Sequence, residues 1–362
     1  MASNITNLFF ELIQVSIGTK EVFSEVPNGK DWIRIYDLAN RQSLTSILIE
    51  GINKEPTLSQ SIDKALLLEW IGLNQLTVSQ NQVQNKRVGE LCRLFNNGGY
   101  RCAILKGQGT SLYYEHPEYR QCGDIDVWVE GDRDEILDFL RKKGFKIGHV
   151  DIKHSDVEIF EDVPVEVHFL PSWMYCPTTN RRLLEFFNGK SDAQYANYDE
   201  IVGFAHTTVN FDLVYSMVHI YRHIFSEGIG LRQLVDYYYI LQHSTEEQRL
   251  EAFEVLRHLR MKSFVGGIMW ILRECFGMKG EFALCAANER HGKFLLSEIM
   301  TAGNFGHFDE RIKQVSKDKK FERGFVQLGR NLRFVSYYPS EVLWSPFWKL
   351  WHWCWRKKKR YL

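Results

Sequence analysis

"CAILKGQGTSLYYEHPEYRQCGDIDVWVE", residues 102–130, contains an apolar run that ends at a glycine turn and, further on, two aspartates separated by one isoleucine. Side chains alternate along a strand, so Asp124 and Asp126 are expected on one face while Ile125 and Val127 point into the core. Two neighbouring carboxylates repel each other and are costly to desolvate, so we expect a positive charge between or above them. The stretch therefore predicts a strand that carries a cation site.

Short strands with one intervening helix are predicted on both sides of this stretch. The helix is expected at 132–143, and the strands at 102–107, 123–130, 146–152, 156–161 and 164–170. Apolar residues recur at helical spacing before Gly98-Gly99 and again after Phe204. The fold class we expect is α+β, with a small mixed β-sheet core at 100–200, an N-terminal helical region at 1–99 and a C-terminal helical domain at 201–362.

Composition excludes several classes of protein. The 362 residues carry 45 basic and 45 acidic side chains, so no global positive field favours binding to nucleic acid. Seven cysteines without a CxxC pair argue against a disulfide framework and against a structural zinc site. No run reaches the length of a membrane-spanning helix, and the N-terminus has no export signal, so a cytoplasmic location is expected.

A third carboxylate and a glycine turn complete the candidate site. Glu166 alternates with Val165 and Val167, so three carboxylates converge if its strand neighbours that of Asp124, as ligands for two divalent metal ions would. In "ILKGQGTSL", residues 104–112, a glycine turn opens a helix, an arrangement that binds phosphate. Lys106, Thr110, Ser111 and Arg120 stand near this turn, where Arg120 is placed to reach a triphosphate.

Four elements in order carry a resemblance to a known family. The strand ending in "LKG", the helix after it, the "PEYRQCGDIDVWV" segment and the later "VEVH" resemble the nucleotidyltransferase superfamily that includes DNA polymerase beta. More closely, the chain resembles the bacterial family described as uncharacterised nucleotidyltransferases. The helical flanks are also similar, so the resemblance covers most of Asp31–Gln242.

The resemblance implies a metal-dependent transfer of a nucleoside monophosphate from a nucleoside triphosphate to a hydroxyl acceptor, with release of pyrophosphate. Two Mg²⁺ ions are implied, with Mn²⁺ as an alternative, and Asp124, Asp126 and Glu166 are implied as catalytic metal ligands. The acceptor is a small molecule, a sugar or a protein. Residues assigned to nucleotide binding are Lys106, Gly107, Gln108, Thr110, Ser111, Arg120, His168, Arg232 and Asp236. One departure is that Gly107 is followed by Gln108 and only then by Gly109.

Several alternatives remain open at this point. A glycosyltransferase also uses an Asp-x-Asp motif, to hold a nucleotide sugar, and a non-catalytic nucleotide-binding accessory protein is a third interpretation. Glu161 or Asp162 compete with Glu166 for the third carboxylate position. His168 is otherwise an ordinary hydrogen-bonded histidine, and Arg232 and Asp236, four residues apart, are otherwise an intrahelical ion pair.

Two further patterns lie in the C-terminal half. His219 and His223 have a spacing that suits metal ligation, but a packing role near the nucleotide cleft is the favoured interpretation. Four tryptophans at helical spacing, Trp344, Trp348, Trp351 and Trp355, precede "RKKKR". This segment predicts either peripheral contact with an anionic membrane or a cap on the helical core with a solvated basic end.

Overall fold

The computed structural model describes residues 2–311, 329 and 331–359. The N-terminal region is helical, as its apolar spacing predicts. Asp63 accepts hydrogen bonds from the backbone N–H groups of Ala65 and Leu66 and so caps the longest helix of this region, which ends at the predicted glycine pair. The helices are α1 (Ala2–Ser16), α2 (Gly29–Gln42), α3 (Thr45–Lys54), α4 (Pro56–Ser61) and α5 (Lys64–Asn97).

A five-stranded mixed sheet follows, in the order β1-β2-β5-β4-β3. Only β2 and β5 run parallel to each other, and the other neighbouring pairs are antiparallel. Asp132 caps the helix that follows β2. The elements are β1 (Cys102–Ile104), the single-turn helix α6 (Gln108–Ser111), β2 (Ile125–Val129), α7 (Arg133–Lys142), β3 (Lys146–Val150), β4 (His154–Glu158) and β5 (Val165–His168).

In the remainder of the described chain, the regular elements are helices apart from one short hairpin. The elements are α8 (Pro177–Ala196), β6 (Tyr198–Asp199), β7 (Phe204–Ala205), α9 (Val209–Ser226), α10 (Leu231–Gln242), α11 (Glu246–His258), α12 (Lys262–Phe276), α13 (Glu289–Ala302) and α14 (Pro339–Lys359). Among the described residues, no helix combines the length and the apolar character that crossing a bilayer requires.

Two hydrophobic clusters hold the fold together. The larger joins the N-terminal helices to the C-terminal ones, and it includes Phe9 on α1 and Phe276 on α12. Direct hydrogen bonds reinforce this contact, because the Gln14 amide donates to the carbonyl of Cys275 and the Thr19 hydroxyl donates to that of Phe276. The smaller cluster lies between one face of the sheet, the end of α5 and α7. The helical parts therefore share one core against which the sheet is positioned.

The structure confirms the α+β class and the five predicted strands. The hydrophobic pattern does not predict α8 or the β6–β7 hairpin, both of which lie in or at the border of the 100–200 region. Helix α8 contains Gly189 and a polar second half, so it has only a weak apolar stripe. The domain boundaries at 99 and 200 remain predictions.

Candidate active site

The carboxylates lie at the start of two adjacent parallel strands. Asp126 on β2 is directly opposite Glu166 on β5, so both side chains project from the same face of the sheet. Asp124 immediately precedes β2, whereas Ile125 and Val127 are buried in the core as predicted. One oxygen from each of Asp124, Asp126 and Glu166 lies within 4.8 Å of the others. The predicted convergence of three carboxylates is therefore present.

Lys106 supplies positive charge to this cluster. Its Nζ lies 2.9 Å from Oδ2 of Asp126 and 3.8 Å from Oδ1 of Asp124. Burial opposes the charge on Lys106, but the two aspartates outweigh it and raise the pKa of the ammonium group. Burial likewise opposes ionisation of Asp126, but Lys106 and the hydrogen bond from His168 together outweigh it and lower the pKa of that carboxyl. The charge on Asp126 raises the pKa of Asp124.

Two histidines contact Glu166. Nε2 of His168 lies 2.9 Å from Asp126 Oδ1 and 3.2 Å from Glu166 Oε2, and Nδ1 of His154 lies 2.8 Å from the same Glu166 oxygen. Burial opposes the charge on Glu166, but these histidines lower its pKa. Burial also opposes protonation of His168, but Asp126 and Glu166 raise its pKa. Glu166 is therefore held in place and kept ionised.

The glycine turn after β1 passes close to the carboxylates. Gly107 has φ +62° and ψ −110°, a conformation that favours glycine, and a Cβ at this residue would lie 3.8 Å from the backbone oxygen of Asp124. Gly109 packs tightly, because a Cβ there would lie 3.2 Å from both the Ile104 oxygen and the His206 Cβ. The helix that the turn opens, α6, has only four residues, so the expected contribution of a long helix dipole to phosphate binding is small.

A cavity of about 760 Å³, which includes space open to solvent, lies in front of Asp124 and Asp126. Its walls come from the glycine turn, the segment before β2, the helices α9 and α10, and a turn after α13. The lining residues are Lys106, Gly107, Thr110, Arg120, Gln121, Cys122, Gly123, Asp124, Asp126, Tyr215, Ser216, His219, Ile220, Arg232, Gln233, Asp236, Asn304 and Phe305.

The two arginines of the cavity differ in their partners. Arg120 forms two hydrogen bonds to Asp236, of 2.7 and 2.9 Å, and the Tyr114 hydroxyl donates to the same carboxylate at 2.6 Å. Arg232 is also buried, donates to the carbonyl of Gln121, and has no hydrogen-bond partner at Nε. Within the described part of the chain, no carboxylate oxygen lies within 4.0 Å of the Arg232 guanidinium. Arg120 is therefore neutralised, whereas Arg232 keeps a charge available to an anion in the cavity.

Not every predicted nucleotide-binding side chain reaches the cavity. The Gln108 amide donates to Asn81 and Asn85 on α5, and the Ser111 hydroxyl donates to the backbone oxygen of Gln108. Neither of these side chains lines the cavity, whereas Thr110 does. Arg232 and Asp236 do not form the intrahelical pair considered from their spacing, because Asp236 pairs with Arg120 instead.

The two histidines on α9 contact each other, and their packing role near the nucleotide cleft stays a prediction. The rings of His219 and His223 are 4.2 Å apart, and His219 lines the cavity. Burial first, and then the neighbouring charge of His223, lower the pKa of His219 well below its usual range. Among the described residues, no group of three potential metal ligands includes either of these histidines.

Other residues of the site were not predicted from the sequence. His154 reaches Glu166 because β4 pairs with β5 so that His154 lies opposite His168. Tyr215, Ile220 and Phe305 form part of the cavity wall from segments far along the chain. The sequence signal for Tyr215 and Ile220 was the helical "DLVYSMVHIYRHIF" segment, which carries no motif beyond its histidine pair, and no signal marked Phe305.

The donor set fits a divalent metal ion. Three carboxylates that converge on one point, one of them fully buried, are the oxygen ligands that hard cations such as Mg²⁺ and Mn²⁺ take. Oδ2 of Asp126 is buried and accepts no hydrogen bond, although it faces the Lys106 ammonium. Lys106 thus marks a position that a metal ion could take among the carboxylates, beside the glycine turn. Metal-assisted phosphoryl transfer sites hold their cations in this way.

Comparison with known proteins places this site in a family. No curated protein compared with the chain matches it. The sequence model of the family described as "Uncharacterised nucleotidyltransferase" matches residues 28–277, which include the sheet, the three carboxylates, the glycine turn and both arginines of the cavity. The match covers more than half of the 362 residues. The chain therefore belongs to the family of uncharacterised nucleotidyltransferases.

Proposed function

We propose that this protein transfers a nucleoside monophosphate from a nucleoside triphosphate to a hydroxyl group, with release of pyrophosphate. The observation that carries the proposal is the convergence of Asp124, Asp126 and Glu166 on adjacent parallel strands, beside a cavity lined by a guanidinium that pairs with no carboxylate of the described residues. Family membership supports the general class of nucleotidyl transfer.

In this proposal the three carboxylates hold two divalent metal ions, Mg²⁺ or Mn²⁺. When bound, such ions neutralise phosphate charge and lower the pKa of a coordinated hydroxyl. Glu166 suits a ligand role better than a role as the final proton acceptor, because His154 and His168 lower its pKa. His168 also fixes the orientation of Asp126 and Glu166 relative to each other through a single ring nitrogen.

The triphosphate would lie along the glycine turn. Gly107 leaves room for the backbone to approach phosphate oxygens, and the Thr110 side chain lines the same part of the cavity. Lys106 and Arg232 carry the positive charge of this wall, and Arg232 has donor capacity that no carboxylate of the described residues uses. Arg120, in contrast, forms its hydrogen bonds to Asp236 within the cavity wall, so we do not assign it to the phosphates.

The proposed step conserves atoms and charge. An oxygen of the acceptor hydroxyl attacks the α-phosphorus, the bond from that phosphorus to the bridging oxygen of the β-phosphate breaks, and pyrophosphate leaves with the bonding electrons. The hydroxyl proton passes to water. The cavity wall of Tyr215 and Ile220 excludes part of the solvent from the reacting groups.

The three-carboxylate arrangement argues against a glycosyltransferase. That alternative needs only the two aspartates and leaves Glu166 without a role, although Glu166 is paired in register with Asp126. A non-catalytic nucleotide-binding protein would not require three converging charges, since each of them costs desolvation energy.

Asp126→Asn tests the proposal. The variant should lose binding of a non-hydrolysable nucleoside triphosphate in the presence of Mg²⁺, as measured by calorimetry, and should release no pyrophosphate from any of the four nucleotides. Asp192→Asn is the matched control, because Asp192 is exposed and pairs with Arg101 on the surface. Circular dichroism and thermal melting would verify the fold of both variants.

Retention of Mg²⁺-dependent triphosphate binding by folded Asp126→Asn would overturn the proposal. Glu166→Gln provides a second variant if Asp126→Asn does not fold, because Glu166 is less buried. Tighter binding of a nucleotide sugar than of any nucleoside triphosphate by the unmodified protein would favour the glycosyltransferase alternative instead.

A further inference from the structure

We propose that the exposed aromatic face of α14 binds the surface of an anionic lipid bilayer. This aromatic face is defined as Leu343, Trp344, Phe347, Leu350 and Trp351, whose exposed fractions are 59, 44, 66, 64 and 49 %. Their spacing of one, three, three and one residues places them along one side of a helix. A contiguous exposed strip of large apolar side chains is rare on soluble proteins and indicates an interaction site.

The opposite side of α14 is fixed to the rest of the protein near its start. Glu341 accepts hydrogen bonds from the backbone N–H groups of Tyr175 and Cys176, of 2.8 and 3.2 Å. The Trp348 ring stacks on Trp173 at a centroid distance of 3.7 Å and an interplanar angle of 6°. This helix face cannot turn outward without loss of these contacts.

The end of α14 is fixed as well. His352 Nε2 lies 2.7 Å from Asp151, and Lys359 Nζ lies 2.9 Å from Asp134. The four tryptophans considered in the sequence thus divide between the two interpretations. Trp348 stacks on Trp173 and the Arg133 guanidinium lies 4.7 Å from the Trp355 ring, whereas Trp344 and Trp351 remain about half exposed. Packing at both ends therefore holds the aromatic face outward as a preformed surface.

Charge identifies an anionic bilayer as the partner. Residues 342–359 contain no acidic side chain and five basic ones, four of which are consecutive at 356–359, and of these Lys359 pairs with Asp134. The chain as a whole has no net charge, so this excess is local. Basic residues beside an amphipathic helix are attracted to anionic headgroups, and tryptophan and phenylalanine partition into the interface between headgroups and acyl chains. A second copy that docked through its own α14 would present the same basic residues and no acidic residue from 342–359.

Vesicle sedimentation with the full chain tests this proposal. The protein should sediment with vesicles of phosphatidylcholine and phosphatidylglycerol but far less with phosphatidylcholine alone, and salt should weaken the binding. The combined variant Trp344→Ser, Phe347→Ser and Trp351→Ser should lose about tenfold or more of its affinity for the anionic vesicles. Its fold should be intact, because the substituted side chains lie on the exposed face.

The matched control replaces three apolar residues of similar exposure elsewhere, namely Ile33→Ser, Leu68→Ser and Leu250→Ser, at 60, 60 and 59 % exposure. This control should bind anionic vesicles as the unmodified protein does. The proposal would be overturned if the unmodified protein bound both kinds of vesicle equally or bound neither. It would also be overturned if the control lost as much affinity for anionic vesicles as the α14 variant. Dimers in analytical ultracentrifugation that dissociate only in the α14 variant, without a change in vesicle binding, would identify a second copy as the partner and overturn it also.

Discussion

Replacing Lys106 by methionine should destabilise the metal-free protein and make its stability depend strongly on Mg²⁺. Lys106 Nζ lies 2.9 Å from Asp126, whose side chain is only 1 % exposed, and 3.8 Å from Asp124. Removing one partner of a buried ion pair costs about 3–5 kcal/mol when the other charge remains buried without compensation. His168 still contacts Asp126 at 2.9 Å in the variant, so the lower end of this range, about 3 kcal/mol, applies. Methionine has a similar length, so we expect the free energy of unfolding to fall by about this amount.

Mg²⁺ should recover a large part of this loss. A ligand present at about 100 times its dissociation constant stabilises the folded state by about 2.7 kcal/mol. In the unmodified protein, Mg²⁺ must compete with Lys106 for Asp126, so its stabilising effect should be smaller than in the variant. Urea unfolding with EDTA and with excess Mg²⁺, for both proteins, measures the difference.

Lys146→Met is the control for this experiment. Lys146 pairs with Glu158 at 2.7 Å, but the two side chains are 74 and 64 % exposed, so its loss should cost less than about 1 kcal/mol and leave the response to Mg²⁺ unchanged. If Mg²⁺ stabilises Lys106→Met no more than it stabilises the unmodified protein, Lys106 does not hold the position of a cation among the carboxylates.

Two other buried carboxylates give predictions of their own. Burial raises the pKa of Asp212 to about 7, against hydrogen bonds from Thr207 and Tyr113, so the folded state keeps a proton that the unfolded state releases. Its contribution should fall as pH rises from about 4 to about 7, and Asp212→Asn should remove this decline in urea unfolding across that range. Asp236→Asn should cost about 3–5 kcal/mol of unfolding free energy, because Arg120 then stays buried without a counter-charge.

For each of these two variants, one result would contradict the prediction. Parallel stability curves for Asp212→Asn and the unmodified protein between about pH 4 and about pH 7 would show that Asp212 does not titrate with a raised pKa. Asp138→Asn breaks an exposed pair with Arg141 and should cost less than about 1 kcal/mol. A loss no larger in Asp236→Asn than in Asp138→Asn would contradict the role given to the buried pair.

The sheet and its carboxylates follow from local patterns that the sequence displays. A β-branched apolar residue follows each acidic one in both "DIDVWV" and "VEVH", so the strands and the side of the sheet that carries Asp126 and Glu166 could be predicted from period two. The end of α5 could be predicted as well, because Gly98 and Gly99 interrupt a long helical pattern. These features depend on neighbours within a few residues.

The remainder of the site depends on contacts that no local pattern contains. His154 reaches Glu166 only because β4 pairs with β5, and a strand order cannot be inferred from periodicity. Arg120 lies four residues before Asp124 and was expected to contact a triphosphate, yet its partner is Asp236, 116 residues further along the chain. Such a pairing is decided by the packing of α10 against the segment before β2.

The packing of α1 against α12 also constrains the order of events during synthesis. The Gln14 amide cannot form its hydrogen bond until Cys275, 261 residues further along the chain, has been synthesised. At a translation rate of about 5–20 residues per second, this interval lasts roughly 13–52 s. The apolar side of α1 can meet α3 early, but its contact with α12 forms only near the end of that interval. The nascent chain must therefore keep part of an apolar helix face uncovered for tens of seconds, roughly the period in which chaperones would protect it.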